Sequence, residues 1–287
     1  MRLFRLLTVL VGLAVLPSVS SAGSAESKSI QIKGSDTMVN LGQSWAEAFS
    51  AKHPEVNIAV TGGGSGTGIS AILAGTCDIA QSSRDITSEE KAKAESSGTS
   101  LKETTVAYDG IAVIVNPANP LSQLTTSQLA DIFSGKITNW KEAGGNDSPI
   151  LILSRERNSG THVFFLEHIV RRGNAKGPEE FASSALMMPS SQAIVQEVQS
   201  SEAGIGYVGI GYVTPQLKVL PVAQKAGAPA ILPNIDTVQS GQYPISRPLL
   251  FLTRGEPQGE IKSFIDFVLG AEGQDIVKTL DFVPLKK

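Results

Sequence analysis

Apolar and polar positions in the first half of the chain repeat in an order that predicts a strand, a turn and then a helix. The residues from Ser29 to Lys33 alternate between apolar and polar, as in a half-buried strand. Leu41, Trp45 and Phe49 then recur at a spacing that places them on one face of a helix. Val56 to Val60 is the next strand-like run. This alternation predicts an α/β fold with mainly parallel sheets.

The turns that join these strands to helices are rich in glycine and hydroxyl residues. They are Gly34 to Thr37, Thr61 to Gly68 and Ser82 to Asp85. In an open α/β sheet such turns meet at the carboxyl ends of the strands, where ligands bind. Glycine lets the backbone approach a ligand, and the first N–H groups of a helix have no intrahelical partner, so these turns suit an anion. Taken alone, the glycine-rich turn is equally well explained as a flexible loop without a ligand.

A second region repeats this order. Val106 to Val115 predicts a strand that passes from one lobe to another, and Ile150 to Leu153 predicts a strand that leads through Ser154 to Thr161 into a helix. Pro215 to Pro244 is expected to be mostly irregular because it is rich in proline and glycine. Further helices are predicted over Ser88 to Ser96, Thr126 to Phe133 and Ile261 to Val268. We predict that residues 23–110 and 245–287 form lobe 1 and that residues 111–244 form lobe 2.

The N-terminus predicts an exported protein. Arg2 and Arg5 precede a short apolar segment and the small residues up to Ala22, so residues 1–22 are expected to be a signal peptide cleaved after Ala22. A membrane anchor would need ~20 apolar residues. Cys77 is the only cysteine, which leaves no disulfide within the chain, and we expect it to be a small buried residue. We therefore expect a periplasmic location.

Composition narrows the classes of partner. The chain has 287 residues, of which 41% are hydrophobic and 18% charged, which is typical of a globular protein. Its formal net charge is -3, so it lacks the cationic field that nucleic-acid binding needs, and we expect no nucleic-acid partner. An anion would have to be held by local donors.

The motifs for catalysis are incomplete. A nucleophile elbow around Ser65 would need glycine where Thr67 stands, and no lysine follows either glycine-containing loop as a phosphate-binding P-loop requires. Base candidates are limited to His53, His162 and His168, and the last two are spaced off one helical face. We expect no catalytic residue, no metal site and no cofactor.

An oxyanion site fits these turns better. Its candidates are hydroxyl donors, backbone N–H donors and one arginine whose planar fork matches two oxygens of a tetrahedral anion. The candidates are Thr37, Ser65, Ser83, Ser159 and Thr161 for the hydroxyls, Met38 and Gly160 for the N–H groups, and Arg155 for the cation. Each residue alone is better explained as a helix cap or a surface group. Their joint placement at strand-to-helix turns favours the oxyanion.

The combination of motifs resembles the periplasmic phosphate-binding proteins of high-affinity phosphate ABC transporters, in their shorter form. The matching stretches are Lys33 to Thr37, Gly62 to Gly68, Asp78 to Arg84, Tyr108 to Pro120, Ile137 to Trp140 and Arg155 to Thr161. The resemblance implies a two-lobed periplasmic-binding-protein fold, type II-like, in which each lobe is a mainly parallel sheet flanked by helices and a hinge closes on inorganic phosphate. It implies a membrane permease as partner, and we expect a monomer.

The resemblance also implies which residues contact phosphate, and it leaves alternatives open. The implied contacts are Thr37, Met38, Ser65, Arg155, Ser159, Gly160 and Thr161. A receptor for another oxyanion, such as sulfate or molybdate, and a secreted phosphatase on the same fold are the alternative functions.

One position departs from the family pattern. Some members carry an aspartate in the third loop, where this chain has Ser83 followed by Arg84. A carboxylate there accepts a hydrogen bond from protonated phosphate and repels sulfate, and Asp36 and Asp109 are the candidates to replace it. Arg84 is expected either to add a second cation to the site or to pair with Asp85 or another neighbour.

Overall fold

The computed structural model describes residues 28–286, and the predicted signal peptide lies outside the described residues. Strands and helices alternate along most of the chain. The strands are β1 (Lys28–Gly34), β2 (Val56–Gly63), β3 (Ile79–Ser82), β4 (Leu101–Val115), β5 (Leu124–Thr125), β6 (Leu151–Arg155), β7 (Leu186–Met188), β8 (Gly204–Gly209), β9 (Lys218–Leu220), β10 (Val222–Ala223), β11 (Ala230–Ile231) and β12 (Ser246–Arg254).

Nine helices are described within residues 28–286 in addition to short 3₁₀ and π turns. They are α1 (Val39–Ser50), α2 (Ser65–Ala74), α3 (Ser88–Ser96), α4 (Thr126–Phe133), α5 (Gly160–Phe165), α6 (Ser191–Ser200), α7 (Ile235–Gln239), α8 (Gly259–Leu269) and α9 (Ala271–Thr279). The short turns are Asp36–Met38, Trp140–Ala143 and Ile210–Tyr212 in 3₁₀ form and Leu166–Val170 in π form. No helix in the described part of the chain is both long and apolar enough to span a bilayer.

One large sheet carries the fold. Its strand order is β2-β1-β3-β12-β4-β8-β6-β7, with β9 also paired to β4, and a small second sheet has the order β11-β10-β5. The pairs β1–β2, β1–β3, β6–β8 and β6–β7 are parallel, as predicted. The pairs of β12 with β3 and β4, and of β4 with β8, are antiparallel. The predicted α/β class is confirmed, and the parallel pairing in the large sheet is confined to its two ends.

Strand β4 links the two ends of this sheet. It pairs with β12 as far as Gly110, opposite Ser246, and with β8 from Ile111, opposite Gly209. The strand that was predicted to pass between lobes is therefore continuous, and its partner changes at the predicted boundary between residues 110 and 111. The boundaries of the lobes themselves stay a prediction.

The predicted apolar face of α1 is buried. Leu41, Trp45 and Phe49 are at most 2% exposed, and the Trp45 ring packs edge-on against Phe251 of β12. The Trp45 indole N–H donates to the Gly273 carbonyl at 2.8 Å, so the polar end of this ring is also satisfied. Burial of each such side chain stabilises the fold by about 1.5–3 kcal/mol. This packing fixes α1, and with it the turn that precedes α1.

The segment from Pro215 to Pro244 is more regular than predicted. It contains β9, β10, β11 and α7. Strands this short are held by pairing with distant segments, such as Val222 with Leu124 of β5, rather than by their own apolar pattern. Cys77 is buried, as predicted, and burial raises the pKa of its thiol to about 11.

Candidate functional site

The hydroxyl-rich turns converge on one buried cluster. It lies where β1, β3 and β6 end and α2 and α5 begin. We call it the hydroxyl cluster, and each of its members is at most 2% exposed. Its members are Ser35, Thr37, Ser65, Ser83, Ser159 and Thr161. The structure thus brings together all the hydroxyl candidates predicted from the sequence and adds Ser35.

Hydrogen bonds connect the cluster internally. The Ser35 hydroxyl donates to the Ser83 hydroxyl at 2.8 Å, and the Ser83 N–H donates to the Ser65 hydroxyl at 3.1 Å. The hydroxyl oxygens of Thr37 and Thr161 lie 2.7 Å apart, although these residues belong to different predicted lobes. The two halves of the site are therefore in direct contact, as in a closed receptor.

Glycines make this approach possible. A Cβ atom on Gly160 would lie 2.2 Å from the Ser65 hydroxyl oxygen, and one on Gly64 would lie 2.5 Å from the Asn158 carbonyl oxygen. The Gly66 N–H donates to that same carbonyl at 3.0 Å. The glycine-rich turn before α2 therefore packs directly on the loop before α5.

The backbone candidates differ in what they already bind. The Met38 N–H donates to the Ser35 carbonyl at 3.0 Å within a 3₁₀ turn, so this predicted donor is used inside the loop. Ser159 is the N-cap of α5, and its hydroxyl accepts from the His162 N–H at 3.4 Å. Gly160 and Thr161 occupy the first turn of α5, where N–H groups have no intrahelical acceptor.

Arg155, at the end of β6, is buried and held at each nitrogen. Its Nη2 donates to the Asp36 carboxylate at 2.6 Å and to the Pro189 carbonyl at 3.0 Å. Its Nη1 donates to the Ser191 hydroxyl at 3.2 Å, and its Nε donates to the Met188 carbonyl at 3.2 Å. The guanidinium is thus fixed beside the hydroxyl cluster, and its ion pair with Asp36 joins the two halves of the site.

Arg84 forms an ion pair with a neighbour. Both of its terminal nitrogens donate to the Glu90 carboxylate at 2.8 Å, and Nη1 also donates to the Asp85 carbonyl at 2.8 Å. Burial favours a higher pKa for Glu90, but hydrogen bonds from Arg84 and Thr87 hold that pKa below its ordinary value. Of the two predicted alternatives for Arg84, pairing is the one observed, and its partner carboxylate is Glu90 rather than Asp85.

Arg247 of β12 is a site residue that the sequence analysis missed. Its side chain and that of Asp109 are both 0% exposed, and its Nε and Nη2 donate to Asp109 Oδ2 at 3.1 and 2.8 Å. The Asp109 Oδ1 accepts from the Ile210 N–H at 3.1 Å. Burial raises the pKa of Asp109, and the guanidinium opposes that rise. The sequence signal that could have identified Arg247 is its position inside the apolar run from Ile245 to Leu252. A charged side chain that is buried in such a strand requires a partner of opposite charge.

Three arginines around the site are thus each paired with a carboxylate. The pairs are Arg84–Glu90, Arg155–Asp36 and Arg247–Asp109. Such pairs present N–H donors in fixed directions without adding net charge. Together with the hydroxyl cluster they form a site rich in hydrogen-bond donors, which suits an oxyanion.

One serine near the site lies close to a histidine. The Ser154 hydroxyl lies 3.3 Å from His162 Nδ1, but Ser154 is 0% exposed and also bonds the Tyr207 hydroxyl at 2.7 Å. Burial lowers the pKa of His162 to about 4. Within residues 28–286 no group of three or more His, Cys, Asp or Glu side chains could hold a metal ion.

One cavity in the described part of the chain is lined by none of the members of the hydroxyl cluster. It has a volume of about 570 Å³, and Ile210, Val213 and Leu232 contribute to its wall. Few donors line it, whereas the hydroxyl cluster is filled by its own contacts. The donors converge at the hydroxyl cluster, which makes it the candidate functional site.

Comparison with known proteins agrees with this geometry. Residues 19–272 match the model of a PBP superfamily domain. The chain is 31% identical over 287 residues to the phosphate-binding protein PstS of Pseudomonas aeruginosa, covering 94% of this chain and 87% of that protein. It is 32% identical over 254 residues to PstS of Bacillus subtilis, covering 88% and 78%.

Solved structures show the same similarity. A phosphate ABC transporter substrate-binding protein from Clostridium perfringens with bound phosphate has a TM-score of 0.80 and 38% identity, covering 90% of this chain and 100% of that one. An ABC-type phosphate transport receptor from Vibrio cholerae has a TM-score of 0.71 and 31% identity, with the same coverage. The predicted two-lobed binding-protein fold is confirmed by these matches.

Proposed function

This chain belongs to the PBP superfamily and, within it, to the family of the phosphate-binding proteins PstS, and from this premise we propose that it binds inorganic phosphate for import by an ABC transporter. The observation that carries the proposal is the hydroxyl cluster, in which Thr37 and Thr161 meet at 2.7 Å beside Arg155. A tetrahedral anion that separates these hydroxyls and replaces their mutual hydrogen bond would receive donors from both halves of the site at once. The bound anion would then hold the two lobes together.

The contacts proposed for phosphate follow from this placement. Thr37, Ser65, Ser159 and Thr161 donate hydroxyl hydrogens, and Gly160 donates its N–H at the start of α5. Arg155 supplies charge-assisted N–H donors from a guanidinium that Asp36 holds in place. Micromolar affinity needs about -8 kcal/mol, which several charge-assisted bonds of ~1.5–3 kcal/mol each can provide after the costs of association.

Asp36 is the proposed acceptor for the proton of phosphate. Its carboxylate accepts one hydrogen bond from the Gly63 N–H at 3.2 Å and another from Arg155 Nη2 at 2.6 Å. Asp109 is fully buried and accepts hydrogen bonds from Arg247 and the Ile210 N–H. We therefore propose that it is the partner of Arg247 and not an acceptor for phosphate. Asp36→Asn should therefore bring the affinities for sulfate and phosphate closer together, whereas the wild-type chain should prefer phosphate.

We further propose that the protein is a monomeric receptor without catalytic activity. It would work in the periplasm and hand its ligand to a membrane permease. The donors of the site are arranged to hold an anion, and Ser154 is too deeply buried to attack a substrate. A phosphomonoester assay without turnover would agree with this role.

Replacement of Arg155 tests the assignment of the site. We expect Arg155→Ala to bind phosphate at least about a hundredfold more weakly, because the variant loses a charge-assisted donor and leaves Asp36 unpaired. Isothermal titration calorimetry measures this loss. Arg172→Ala is the matched control. Arg172 is exposed and lies outside the site, where its Nη2 pairs with Asp131 Oδ1 at a distance of 2.7 Å. Unchanged affinity in folded Arg155→Ala would overturn the assignment.

The identity of the anion is tested separately by thermal shift. Phosphate should raise the melting temperature of the wild-type chain more than sulfate or molybdate does. Arsenate should raise it about as much as phosphate does, because it shares the shape and protonation of phosphate. A larger shift with sulfate or molybdate would identify a receptor for another oxyanion.

A further inference from the structure

We propose that Arg247 is a positioning residue of the phosphate site and acts through the hydroxyls of Thr37 and Thr161. The inference rests on the proposed function and adds to it a residue outside the motifs of the two loops. It follows from the three hydrogen bonds that this guanidinium group donates to Thr37, Thr161 and Ser83 and from the direction that those bonds impose.

The guanidinium of Arg247 lies directly beneath the contact between the two halves of the site. Its Nη2 is 3.3 Å from the hydroxyl oxygen of Thr37 and 3.1 Å from that of Thr161. Its Nη1 donates to the Ser83 carbonyl at 2.9 Å. One side chain thus bonds the first loop, the third loop and the first turn of α5.

These bonds fix the orientation of two hydroxyl groups. An arginine side chain can donate hydrogen bonds but cannot accept them. Each hydroxyl oxygen that accepts from Arg247 must therefore direct its own hydrogen elsewhere, either to the other hydroxyl or to a bound anion. At 2.7 Å one of the two hydroxyls donates to the other, and an anion that separates them would receive the hydrogens of both.

Asp109 keeps the guanidinium in this position. Two bonds from Arg247 end on the same Asp109 oxygen, and the Phe164 ring lies 5.7 Å from the guanidinium carbon. Both charged side chains are fully buried, so neither can turn toward solvent. A buried ion pair of this kind contributes little net stability on average, and its orientation of neighbouring groups is a separate effect.

Removal of the whole pair tests the inference. Arg247→Met alone leaves the Asp109 carboxylate buried without its partner, so the informative variant combines Arg247→Met with Asp109→Asn. The second change removes the negative charge and leaves an amide oxygen that can still accept from the Ile210 N–H. We expect this double variant to fold and to bind phosphate about tenfold to a hundredfold more weakly by calorimetry. Arg172→Met is the control for an exposed arginine and should keep wild-type affinity.

A thermodynamic cycle separates positioning from a general effect on folding. Thr161→Val should weaken phosphate binding clearly in the wild-type chain and much less in the double variant, because the hydroxyl is no longer oriented there. Arg247→Lys keeps the charge but lacks the planar fork, so we expect it to bind phosphate about tenfold more weakly. This variant provides the test if the double variant fails to fold.

The outcomes are distinct. Wild-type affinity in a folded double variant or in Arg247→Lys would overturn the role of Arg247, and so would an equal effect of Thr161→Val in both backgrounds. In each of those cases the wild-type chain still binds phosphate and the proposed function stands. A wild-type chain that binds no phosphate would overturn the proposed function and this inference together.

Discussion

At the scale of single residues, Gly160 marks how closely the two halves of the site approach. A Cβ atom there would lie 2.2 Å from the Ser65 hydroxyl oxygen, 2.7 Å from that of Ser83 and 2.9 Å from the Ser65 Cβ. The last of these atoms cannot rotate away. Any side chain at this position therefore obstructs closure.

We expect Gly160→Ala to weaken phosphate binding by about tenfold to a hundredfold, because overpacking a tight contact costs ~1–3 kcal/mol. Calorimetry on the purified variant measures the loss. The control is Gly270→Ala, whose added methyl would have its nearest neighbours in Phe267 and Asp266, at 3.2 Å or more, outside the site. If Gly160→Ala binds as tightly as the wild-type chain, the two loops do not meet in the bound state.

The residues of the site could be predicted from sequence only where the turn itself carries the chemistry. Ser65 and Thr161 lie next to glycine where a strand-to-helix connection enters a helix, so the local pattern predicts their position. Arg247 stands in an apolar strand, and its partner Asp109 is 138 residues away in the sequence. Their contact depends on the pairing of β4 with β12, which no local pattern specifies.

At the scale of elements, β6 and α5 are held together by a buried polar network. The Ser154 hydroxyl contacts both the Tyr207 hydroxyl and His162 Nδ1, and the His162 ring packs near Phe181 at 4.6 Å between centroids. This network includes Ser154, the residue that precedes Arg155 in β6. Its protonation state therefore affects the element that carries the charged residue of the site.

The stability of the protein should fall in acid because of His162. Burial lowers the pKa of this imidazole to about 4 in the folded chain, against an ordinary value of 6.5. Between those values the unfolded chain binds a proton that the folded chain does not, so unfolding becomes more favourable as pH falls. The loss should reach roughly 3 kcal/mol near pH 4. Urea unfolding between pH 7 and pH 4 measures it.

A matched pair of variants isolates this contribution. His162→Gln should lose less stability over the same pH range than the wild-type chain, since no imidazole remains to titrate. His53→Gln, at a partly exposed position after α1, is the control for the loss of a histidine. Equal acid sensitivity in all three chains would exclude His162 as the cause. Neighbouring charges on Arg157, Glu180 and Arg155 modify the pKa of His162 less than burial does.

Elements defined by local signals were predictable, and pairings between distant elements were not. The bounds predicted for α3, Ser88 to Ser96, are those observed, because Thr87 and Glu90 form a capping box at its start. The apolar run of β4 is interrupted at Asp109, yet the strand continues because Arg247 neutralises that charge from the neighbouring strand. The antiparallel centre of the sheet has the same non-local origin.

At the scale of the whole molecule, the charges at the site differ from those of the surface. Each buried arginine of the site is paired, whereas the chain as a whole is acidic. Its formal net charge is -3, and cleavage after Ala22 would remove Arg2 and Arg5 and make it -5. Long-range attraction therefore contributes little to the approach of phosphate, and short-range donors provide the affinity.

We expect the association rate constant for phosphate to stay level or rise slightly as sodium chloride increases from about 0.01 to 0.3 M, over which the Debye length shrinks from ~30 Å to below 10 Å. Salt screens the repulsion between the acidic surface and the anion. Stopped-flow fluorescence measures the rate, with the dissociation rate from the same runs as an internal control. A severalfold fall with salt would show that the site steers its ligand by unpaired positive charge.

The continuous strands β4 and β12 have a mechanical consequence. They run antiparallel, and their pairing reaches the predicted boundary between the lobes, where Gly110 lies opposite Ser246 and the Ile111 N–H donates to the Ile245 carbonyl at 2.8 Å. A flexible linker would lose conformational entropy each time the lobes closed, whereas a paired ladder has little left to lose. The free energy of anion contacts then goes into closure rather than into ordering the chain. The same ladder limits the opening of the cleft to what bending and twisting of the sheet allow.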